Sequence, residues 1–488
     1  MLTLTFNIQR IKAQPSTIIV PDDYRIIQDA INAAKPGDTV FVRAGIYSEA
    51  LVVNKSIAIV GEDCETTIID ASGYDAITVL ESGVTVRGFT IKNGDLGVDL
   101  CSYGNTIMKN IIINSRGHSI WLRGTKNNVL ENTIISTSAR YGIWIYGGDN
   151  HNVSGNIITN HKGHGIYVEG SSRNTIFNNT ITNNGIFYNE SGVYIKDSPY
   201  NILSANTITG NKEDGIVIVC VSAKVSNNIV FANTIANNSR FGISIGGGSD
   251  NHTIFGNRIT NNGWAICING RDSRIFHNDF INNVKQVIAS EANIWDDDYP
   301  SGGNYWSDYN GIDEKTGINQ NLPGSDGIGD TPYIIDAKNR DRYPLVIPRD
   351  AIPVIWDGII YSVELKSNST ISAFQFNQTL KQISFKLSGS SGAVGYCNVT
   401  IPKTLLKGEP WTVKVNGTDW SFTPSENETH SFIYFNCTFA STFEITIQGT
   451  WVVPEFPSAT ILPIFVLITL IATITLKKRK EPKSLSHS

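Results

Sequence analysis

The chain has 488 residues, of which 41% are hydrophobic and 17% are charged, and its formal net charge is −5. Lys and Arg number 39 against 44 Asp and Glu and are scattered, which argues against the basic face that nucleic-acid binding requires. Six cysteines are too few for a disulfide scaffold in a chain of this length, and plentiful aromatic and β-branched residues argue against disorder.

The N-terminal segment precedes the repetitive part of the chain. Residues 1–17 contain a short apolar patch, which we interpret as the remnant of a truncated secretory signal peptide. Further on, Asp22 or Asp23 can cap an amphipathic helix, and Pro36-Gly37-Asp38 ends this helix before a strand at Thr39–Val42. Because an open solenoid needs covered ends, we expect the helix to close the N-terminal end of the region that follows.

The middle of the chain repeats with a period of about 23 residues. One repeated element has four positions: a small residue, an apolar residue, a variable residue and a second apolar residue. It begins at Gly97, Ser119, Gly142, Gly165, Gly192, Gly215, Gly242 and Ala265. The repeats that begin at Gly165 and Gly215 carry four extra residues each. Short alternating strands separated by Asn and Gly predict a right-handed parallel β-helix, because the Leu pattern and helical segment of leucine-rich repeats are absent.

A second repeated element, Asn-x-Ile or a close variant, begins at Asn110, Asn132, Asn156, Asn179, Asn206, Asn233, Asn257 and Asn278. Equivalent positions of a β-helix stack about 4.8 Å apart, so these residues form a column along the axis. Stacked amides can exchange hydrogen bonds between coils and satisfy turn backbone, so we interpret the Asn columns as structural.

The variable position of the first element points outward, since side chains alternate along a strand. It carries four large aromatic residues in consecutive coils: Trp121, Trp144, Tyr167 and Tyr194. Two positions further on lie Arg123, Tyr146, Glu169 and Lys196, which can hydrogen-bond hydroxyls or pair with uronic acids. Such an exposed aromatic face is typical of a carbohydrate-binding site, and the alternative is a self-stacking ladder that only protects the sheet.

A second candidate site requires two carboxylates. Glu190 and Glu213 occupy neighbouring coils two positions before the small residue, and a separation of about 5 Å is the geometry of retaining glycosidases. The alternative is a solvated charge ladder in which Glu213 pairs with Arg240. This site would make the protein a polysaccharide hydrolase, lyase or epimerase.

The repeats end in blocks rich in aromatic and acidic residues. A Gly-rich loop there supplies oxygen ligands that could bind a structural Ca²⁺: Asn319, Asn321, Asp326 and Asp330. The loop lacks the spacing of an EF-hand, so a solvated acidic turn is the alternative.

Several motifs at both ends of the repeats resemble a known family. They are Ile19–Tyr24, Pro36–Asp38, Gly61-Glu62, Gly303–Tyr309, Asp326–Tyr333 and Asp341–Pro344. Residues 18–347 thereby resemble NosD-like β-helix proteins. The resemblance implies the pectin-lyase-like fold, shared by many carbohydrate-binding proteins and sugar hydrolases, and for NosD itself a link to copper delivery. Fold alone does not fix function.

The residues do not favour a copper site. Copper needs His, Met or Cys donors grouped around one ion, and the chain has eight His and two Met. His118 and His164 share a column with Tyr141 between them, two coils or about 10 Å apart. We therefore expect no copper cofactor.

Residues 354–450 predict an antiparallel β-sandwich, because apolar and polar residues alternate between turn signals such as Asn416-Gly417. Every Asn between 351 and 450 lies in an Asn-x-Ser/Thr sequon: Asn368, Asn377, Asn398, Asn416, Asn427 and Asn436. This enrichment predicts a glycoprotein. In an oxidising exterior, Cys397 and Cys437 are a candidate disulfide.

The C-terminus predicts a membrane anchor. Residues 459–476 are apolar and uncharged, long enough to nearly span a bilayer as a helix, and the basic tail 477–488 predicts a cytoplasmic end. The preceding Pro454-Glu455-Phe456-Pro457 resembles the sorting signal of archaeal surface proteins.

Together these features predict an all-β surface glycoprotein with a capped β-helix, a β-sandwich and a transmembrane anchor. The leading functional hypothesis is binding of a polysaccharide or surface glycan through the face from Trp121 to Tyr194. The alternatives are a polysaccharide-active enzyme at Glu190 and Glu213, and a purely structural envelope protein.

Overall fold

The computed structural model describes residues 15–187, 190–222, 225–357, 359–390, 392, 394–439 and 442–452. The chain divides after Pro348 into two compact units. Among the residues described, we find no helix with the length and apolar character of a transmembrane segment. The predicted anchor at 459–476, the basic tail at 477–488 and residues 1–14 of the predicted signal-peptide remnant lie outside the described residues.

The first unit is a parallel β-helix of about 12 coils, as the repeats predicted. Each inner coil contributes one strand to each of three parallel sheets, which we number in the order in which the chain visits them; sheets 1 and 2 have 12 strands and sheet 3 has 11. Sheet 1 contains Thr17–Val20, Thr39–Val42, Ala58–Gly61, Thr85–Arg87, Thr106–Met108, Asn128–Leu130, Asn152–Ser154, Thr175–Phe177, Ile202–Ser204, Ile229–Phe231, Thr253–Phe255 and Arg274–Phe276. Sheet 2 contains Gly45–Tyr47, Thr67–Asp70, Thr90–Lys92, Ile111–Ile113, Thr133–Ile135, Ile157–Thr159, Thr180–Thr182, Thr207–Thr209, Thr234–Ala236, Arg258–Thr260, Asp279–Ile281 and Tyr305–Trp306.

Sheet 3 carries the candidate sites. Its strands are Leu51–Val53, Ile77–Val79, Val98–Leu100, His118–Leu122, Tyr141–Tyr146, Ile166–Glu169, Val193–Lys196, Ile216–Val219, Phe241–Ile245, Trp264–Ile268 and Lys285–Ala289. Inward-pointing Ile and Val residues of all three sheets are fully buried and form one continuous core along the axis. Outward-pointing residues of sheet 3 are therefore held at fixed positions by a rigid backbone.

Asn residues hold the coils together in two ways. In the Asn-x-Ile column, each side chain from Asn132 to Asn278 accepts a hydrogen bond of 2.9–3.1 Å from the backbone N–H of the Asn one coil earlier, and Asn110 accepts the N–H of Phe89. The Asn found four residues later usually has a positive φ, as at Asn160 and Asn183, where the chain turns a corner. The structural role predicted for the Asn columns therefore accounts for both positions.

The N-terminal helix spans Ile27–Ala33 and packs its buried residues over the first coil. The predicted cap is wrong, because neither Asp22 nor Asp23 caps the helix. Instead, the Glu49 carboxylate accepts hydrogen bonds from the N–H groups of Ile27 and Gln28 at 2.8 and 2.9 Å. Asp22 is occupied by an ion pair with Arg43 and Asp23 accepts the N–H of Ile19, so the cap comes from a later coil.

At the other end, the aromatic and acidic blocks fold over the last coil. Trp306 is fully buried and stacks between Phe280 and Tyr333, with ring centroids 4.4 and 4.3 Å away. The buried Asp341 carboxylate accepts hydrogen bonds from the Asn304 N–H and the Trp306 indole. Two short antiparallel pairs complete this end: Lys315–Thr316 with Leu322–Pro323, and Tyr333–Ile334 with Arg340–Asp341.

The second unit contains two five-stranded antiparallel sheets that share one buried core, which confirms the antiparallel prediction. One sheet has the order Asp350–Trp356, Ile359–Ser367, Val394–Pro402, His430–Thr438 and Thr423–Glu426. The other has the order Thr370–Asn377, Gln382–Ser388, Phe443–Gln448, Thr412–Val415 and Thr418–Asp419. A short antiparallel pair of strands, Leu406–Lys407 with Trp451–Val452, also belongs to this unit. In the first unit, Val225–Ser226 forms a short parallel pair with Ser249–Asp250.

The predicted modifications of this unit stay predictions. Cys397 and Cys437 are buried on neighbouring strands but out of direct register, since Cys397 lies opposite Phe435 and Cys437 opposite Gly395. Among the sequon residues, Asn368, Asn377, Asn416 and Asn436 are exposed, whereas Asn398 and Asn427 are partly buried.

Candidate functional site: a cleft on sheet 3

The predicted aromatic residues lie in register on the outer face of sheet 3. Trp121 lies opposite Trp144, which lies opposite Tyr167, which lies opposite Tyr194. After Tyr194 the same column continues with the smaller Val217, Ser244 and Cys267. The outer surface therefore steps down from large rings to small side chains at one point along the axis.

The rings of this column stack on one another along the axis. Trp121 and Trp144 are parallel within 2° with centroids 4.8 Å apart, and the Tyr167 ring continues the stack at 12°. Arg123 covers the other face of Trp121, with its guanidinium carbon 4.2 Å from the ring centroid. The faces of these indoles are thus covered by protein, which leaves mainly ring edges at the surface; Tyr194 breaks the stack, at 66° to Tyr167.

A second aromatic column runs beside the first. His118 stacks on Tyr141, Tyr141 stacks on His164, and His164 stacks on Tyr194 at a centroid distance of 4.5 Å. From the sequence, His118 and His164 were considered only as copper donors. Their position next to the first column shows that they belong to the same aromatic surface.

An open cleft of about 550 Å³ begins where the first column steps down. Its lining combines the last rings of both columns, the small residues that follow, and charged groups: Tyr141, His164, Tyr167, Glu190, Ser191, Tyr194, Lys196, Glu213, Asp214, Val217, Val221, Arg240 and Ser244. The two lengthened coils contribute to its walls, since Glu190 follows the extra residues of the first and Val221 lies in the loop of the second. Both predicted sites thus contribute to one cleft.

The cleft does not include all the predicted residues. Tyr167, Tyr194, Lys196, Glu190 and Glu213 line it, but the predicted carbohydrate-binding residues nearer the N-terminus do not: Trp121, Arg123, Trp144 and Tyr146. Column spacing could identify the aromatic residues. The cleft itself depends on two features, the step in side-chain size and the extra residues of the two lengthened coils. Each feature is visible in the sequence, but neither alone predicts the cleft.

Two predicted cationic groups are already paired. Arg123 donates hydrogen bonds to the nearly buried Asp99 carboxylate, and the Lys196 ammonium lies 2.8 Å from Glu169. Binding of a uronic acid by either group would have to compete with these carboxylates. Both side chains of the Lys196–Glu169 pair are partly exposed and so partly screened by water, which makes the competition feasible for Lys196 and harder for the pair with buried Asp99.

Glu190 is held by His164. Its Oε2 atom accepts the backbone N–H of His164 at 3.2 Å and lies 3.3 Å from the His164 Nε2 atom. The Nδ1 atom of His164 accepts the Ser191 N–H at 2.9 Å, so a neutral ring carries its proton on Nε2, the ring nitrogen that faces Glu190. Burial lowers the pKa of His164 to about 3, which keeps the ring neutral, and burial raises the pKa of Glu190 against the opposing charge of Arg140.

Two further carboxylates lie beside Glu190. Counting back from the pair Val193 and Ile216 puts Glu213 one coil from Glu190 in the same column. The alternative ion pair between Glu213 and Arg240 is absent from the described residues, in which the Glu213 carboxylate accepts no hydrogen bond. Burial raises the pKa of Asp214 to about 6, although its carboxylate accepts the Phe241 N–H at 3.0 Å.

The candidate calcium ligands make other contacts. Asp326 accepts hydrogen bonds from Thr316, Gln320 and the Ile328 N–H, and Asp330 accepts the N–H groups of residues 314 and 315. Asn319 and Asn321 are exposed. Within the described ranges there is no group of three or more His, Cys, Asp or Glu placed to hold a metal ion. The calcium site stays a prediction.

Two family models match the chain. Residues 25–187 match the model of the periplasmic copper-binding protein (NosD), and residues 138–284 match that of a right-handed beta helix region. These matches confirm the resemblance seen in the sequence motifs, although Ile19–Tyr24 and the motifs after residue 284 lie outside both. No curated protein matches the chain.

Several solved structures are similar to parts of this chain. The A-module of mannuronan C-5 epimerase AlgE4 from Azotobacter vinelandii is 14% identical with a TM-score of 0.44, over 57% of this chain and 87% of that one. An alginate lyase from Paenibacillus sp. is 16% identical with a TM-score of 0.45, over 50% of this chain and 94% of that one. Dettilon tailspike protein is 14% identical with a TM-score of 0.46, over 88% of this chain and 93% of that one. At these identities the similarity concerns the fold alone.

Proposed function

We propose that the protein binds a polysaccharide chain in the cleft of sheet 3. The supporting observation is the cleft itself, in which the ends of two aromatic columns meet carboxylates, Lys196 and Arg240. Concave sites that combine aromatic surface with a few fixed polar groups are typical of ligand binding. From Tyr141 to Ser244 the lining spans four coil steps, or about 19 Å, which is comparable to three or four sugar rings.

Binding takes place outside the cell in this proposal. The NosD family that residues 25–187 match is described as periplasmic, which supports a location outside the cytoplasm. We extend the proposal to anchoring through residues 459–476 and to glycans on the sequon residues between 368 and 436. Mass spectrometry of peptides from the native protein tests the glycans, and unmodified Asn at all six sequons would contradict them.

Electrophoresis in gels that contain a polysaccharide tests the binding site. Full-length protein migrates through gels with β-1,3-glucan, xylan, pectate or alginate, and binding slows its migration. We expect Tyr194→Ala to abolish the retardation, because it removes the ring at the cleft floor. Tyr146→Ala is the matched control, since Tyr146 lies on the same sheet outside the cleft and is 50% exposed.

The two variants separate the possible outcomes. Loss of retardation in Tyr194→Ala alone supports the cleft. Loss of retardation in Tyr146→Ala alone would place the bound glycan on the aromatic residues outside the cleft. If the unaltered protein is not retarded in any gel, a purely structural envelope protein is favoured.

A further inference from the structure

The second unit contains a cavity of about 380 Å³ that shares no residue with the cleft of sheet 3. Its walls include residues of the short strand pair Leu406–Lys407 and Trp451–Val452, and of the neighbouring strands Thr423–Glu426 and His430–Thr438. The volume lies near the lower end of the range of about 300–1,000 Å³ that is usual for small-molecule sites. It therefore suits a compact ligand rather than a long chain.

Trp451 gives this cavity an aromatic surface. It lies opposite Lys407 in the strand pair, whereas its neighbour Val452 lies opposite Leu406, and both of these apolar residues are buried in the core. Because side chains alternate along a strand, the Trp451 side chain points away from the core, and the residue is 49% exposed. An accessible indole beside polar groups suits a ligand that has an apolar face and polar edges.

Four charged side chains line the cavity, and their charges cancel. Lys403 and Glu426 form an ion pair with a nitrogen–oxygen distance of 3.0 Å. In the part of the chain that the structure describes, Lys407 and Glu409 form no ion pair, so the cavity offers one uncommitted donor group and one uncommitted acceptor group. A ligand with hydroxyl groups can use both, because a hydroxyl donates and accepts, and hydrogen bonds to charged groups are the stronger ones.

Ser431 adds a hydroxyl group that the protein itself does not use. Only 2% of this residue is exposed, yet it lines the cavity. Its hydroxyl makes no hydrogen bond to another described residue. Buried polar groups normally have a hydrogen-bond partner, and a ligand hydroxyl in the cavity would supply one here. This residue is therefore a second feature, independent of the Trp451 ring, that indicates a polar ligand.

We propose that the cavity binds one or two sugar rings of a neutral glycan. The ring stacks on Trp451, and its hydroxyl groups bond to Lys407, Glu409 and Ser431. The site does not depend on the glycan binding proposed for sheet 3. That cleft is open along about 19 Å and takes the middle of a chain, whereas this cavity takes a free sugar or the end of a chain. Gel retardation by a long polysaccharide thus reports on the cleft.

Saturation-transfer difference NMR tests the cavity with small sugars. Full-length protein is mixed in turn with glucose, galactose, mannose, N-acetylglucosamine and cellobiose, and the transferred signal shows which sugar protons contact the protein. We expect a signal from at least one sugar, and we expect Trp451→Ala to abolish it. Trp420→Ala is the matched control, because Trp420 is also an exposed Trp of the second unit but does not line the cavity.

Ser431→Ala gives a measurement that does not require the loss of a large ring. Since the hydroxyl has no partner among the described residues, the substitution should leave the circular dichroism spectrum unchanged. It should weaken binding of the sugar by about 5-fold, the usual effect of one lost hydrogen bond. Unchanged affinity in this variant would overturn the role assigned to Ser431.

The variants separate this site from the cleft. A signal that is lost in Trp451→Ala and kept in Tyr194→Ala assigns the sugar to the cavity, whatever the gels show for sheet 3. A signal that is lost in Tyr194→Ala and kept in Trp451→Ala would overturn the proposal and place the sugar in the cleft. Equal losses in Trp451→Ala and Trp420→Ala, or no signal from any of the five sugars, would also overturn it.

Discussion

Asn206 shows at the scale of one residue why the coils need Asn in their columns. Its Oδ1 atom accepts the N–H and the side-chain amide of Asn179, and its Nδ2 atom donates to the Ile176 carbonyl and to Asn233. One side chain thus satisfies groups of the coils on either side while it is almost fully buried. Asp has the same shape but lacks the two donors, so only an amide can continue the pattern.

We predict that Asn206→Asp lowers the free energy of unfolding by about 3 kcal/mol or more at neutral pH, since it buries a charge against two acceptors. Asn178→Asp makes the same chemical change at the exposed corner residue that precedes Asn179 and lies outside the column, and it should change stability by less than about 0.5 kcal/mol. Urea unfolding followed by circular dichroism measures both. Equal losses in the two variants would contradict the column's role.

The packing between neighbouring coils requires the small residue that begins each repeat. A Cβ atom built on Gly192 would lie 2.7 Å from Ile208 Cγ2, 2.8 Å from the Asn211 side chain and 2.9 Å from the Gly215 carbonyl. Sheet 3, the core and an Asn column meet at this point. Close packing there leaves no room for a methyl group without a shift of the next coil.

We therefore predict that Gly192→Ala destabilises the β-helix by about 2 kcal/mol through overpacking. Gly247→Ala is the matched control, because a Cβ there meets no atom within 4 Å and Gly247 does not need a positive φ. Thermal unfolding of both variants gives the comparison. A Gly192→Ala protein as stable as the control would show that the coils can separate at little cost.

Repeat spacing made the columns of sheet 3 predictable, because a fixed period converts sequence position directly into position along the axis. The register of Trp121, Trp144, Tyr167 and Tyr194 follows from counting alone. Contacts between side chains were not predictable in this way. Counting could not show that the Trp rings cover each other or that Glu190 turns toward His164.

The cap of the N-terminal helix was predicted wrongly for a related reason. Its cap comes from Glu49, a coil later, whereas a sequence pattern searches for the cap among neighbours such as Asp22 and Asp23. The period predicts which residues stack. It does not predict which partner a polar group selects from an adjacent coil.

Buried imidazoles affect the stability of the whole molecule. Burial lowers the pKa to about 3 for His164 and to about 4 for four others: His118, His151, His161 and His252. Their ordinary pKa is 6.5, so the unfolded chain takes up protons at a pH where the folded chain does not. Burial raises the pKa of Asp214 to about 6 and that of Asp341 to about 7, which acts in the opposite direction for fewer groups.

We predict that the β-helix loses stability as the pH falls from about 6.5 to about 4, because the histidines outnumber the opposing carboxyl groups. Urea midpoints measured across this range test the sign. Stability that rises over the same interval would show that Asp214 and Asp341 dominate.

A double variant assigns the effect to particular residues. His151 and His252 belong to a further column, whose other members include Asn127, Asn174, Asn201 and Asn228, and each accepts a backbone N–H through Nδ1. We expect His151→Asn with His252→Asn to keep the column and to make stability less dependent on pH. An unchanged pH dependence would mean that these two rings titrate as freely in the folded chain as in the unfolded one.

The step from Tyr194 to Val217 has a consequence for how such a protein can change over generations. Side-chain size in one column sets the boundary of the cleft along the strands of sheet 3, where the strand register continues unchanged from Tyr194 to Val217. A ring in place of Val217 would move that boundary by one coil, about 4.8 Å, and a small residue in place of Tyr194 would move it back. Point substitutions in this column can therefore move, lengthen or remove the binding site without a change of fold.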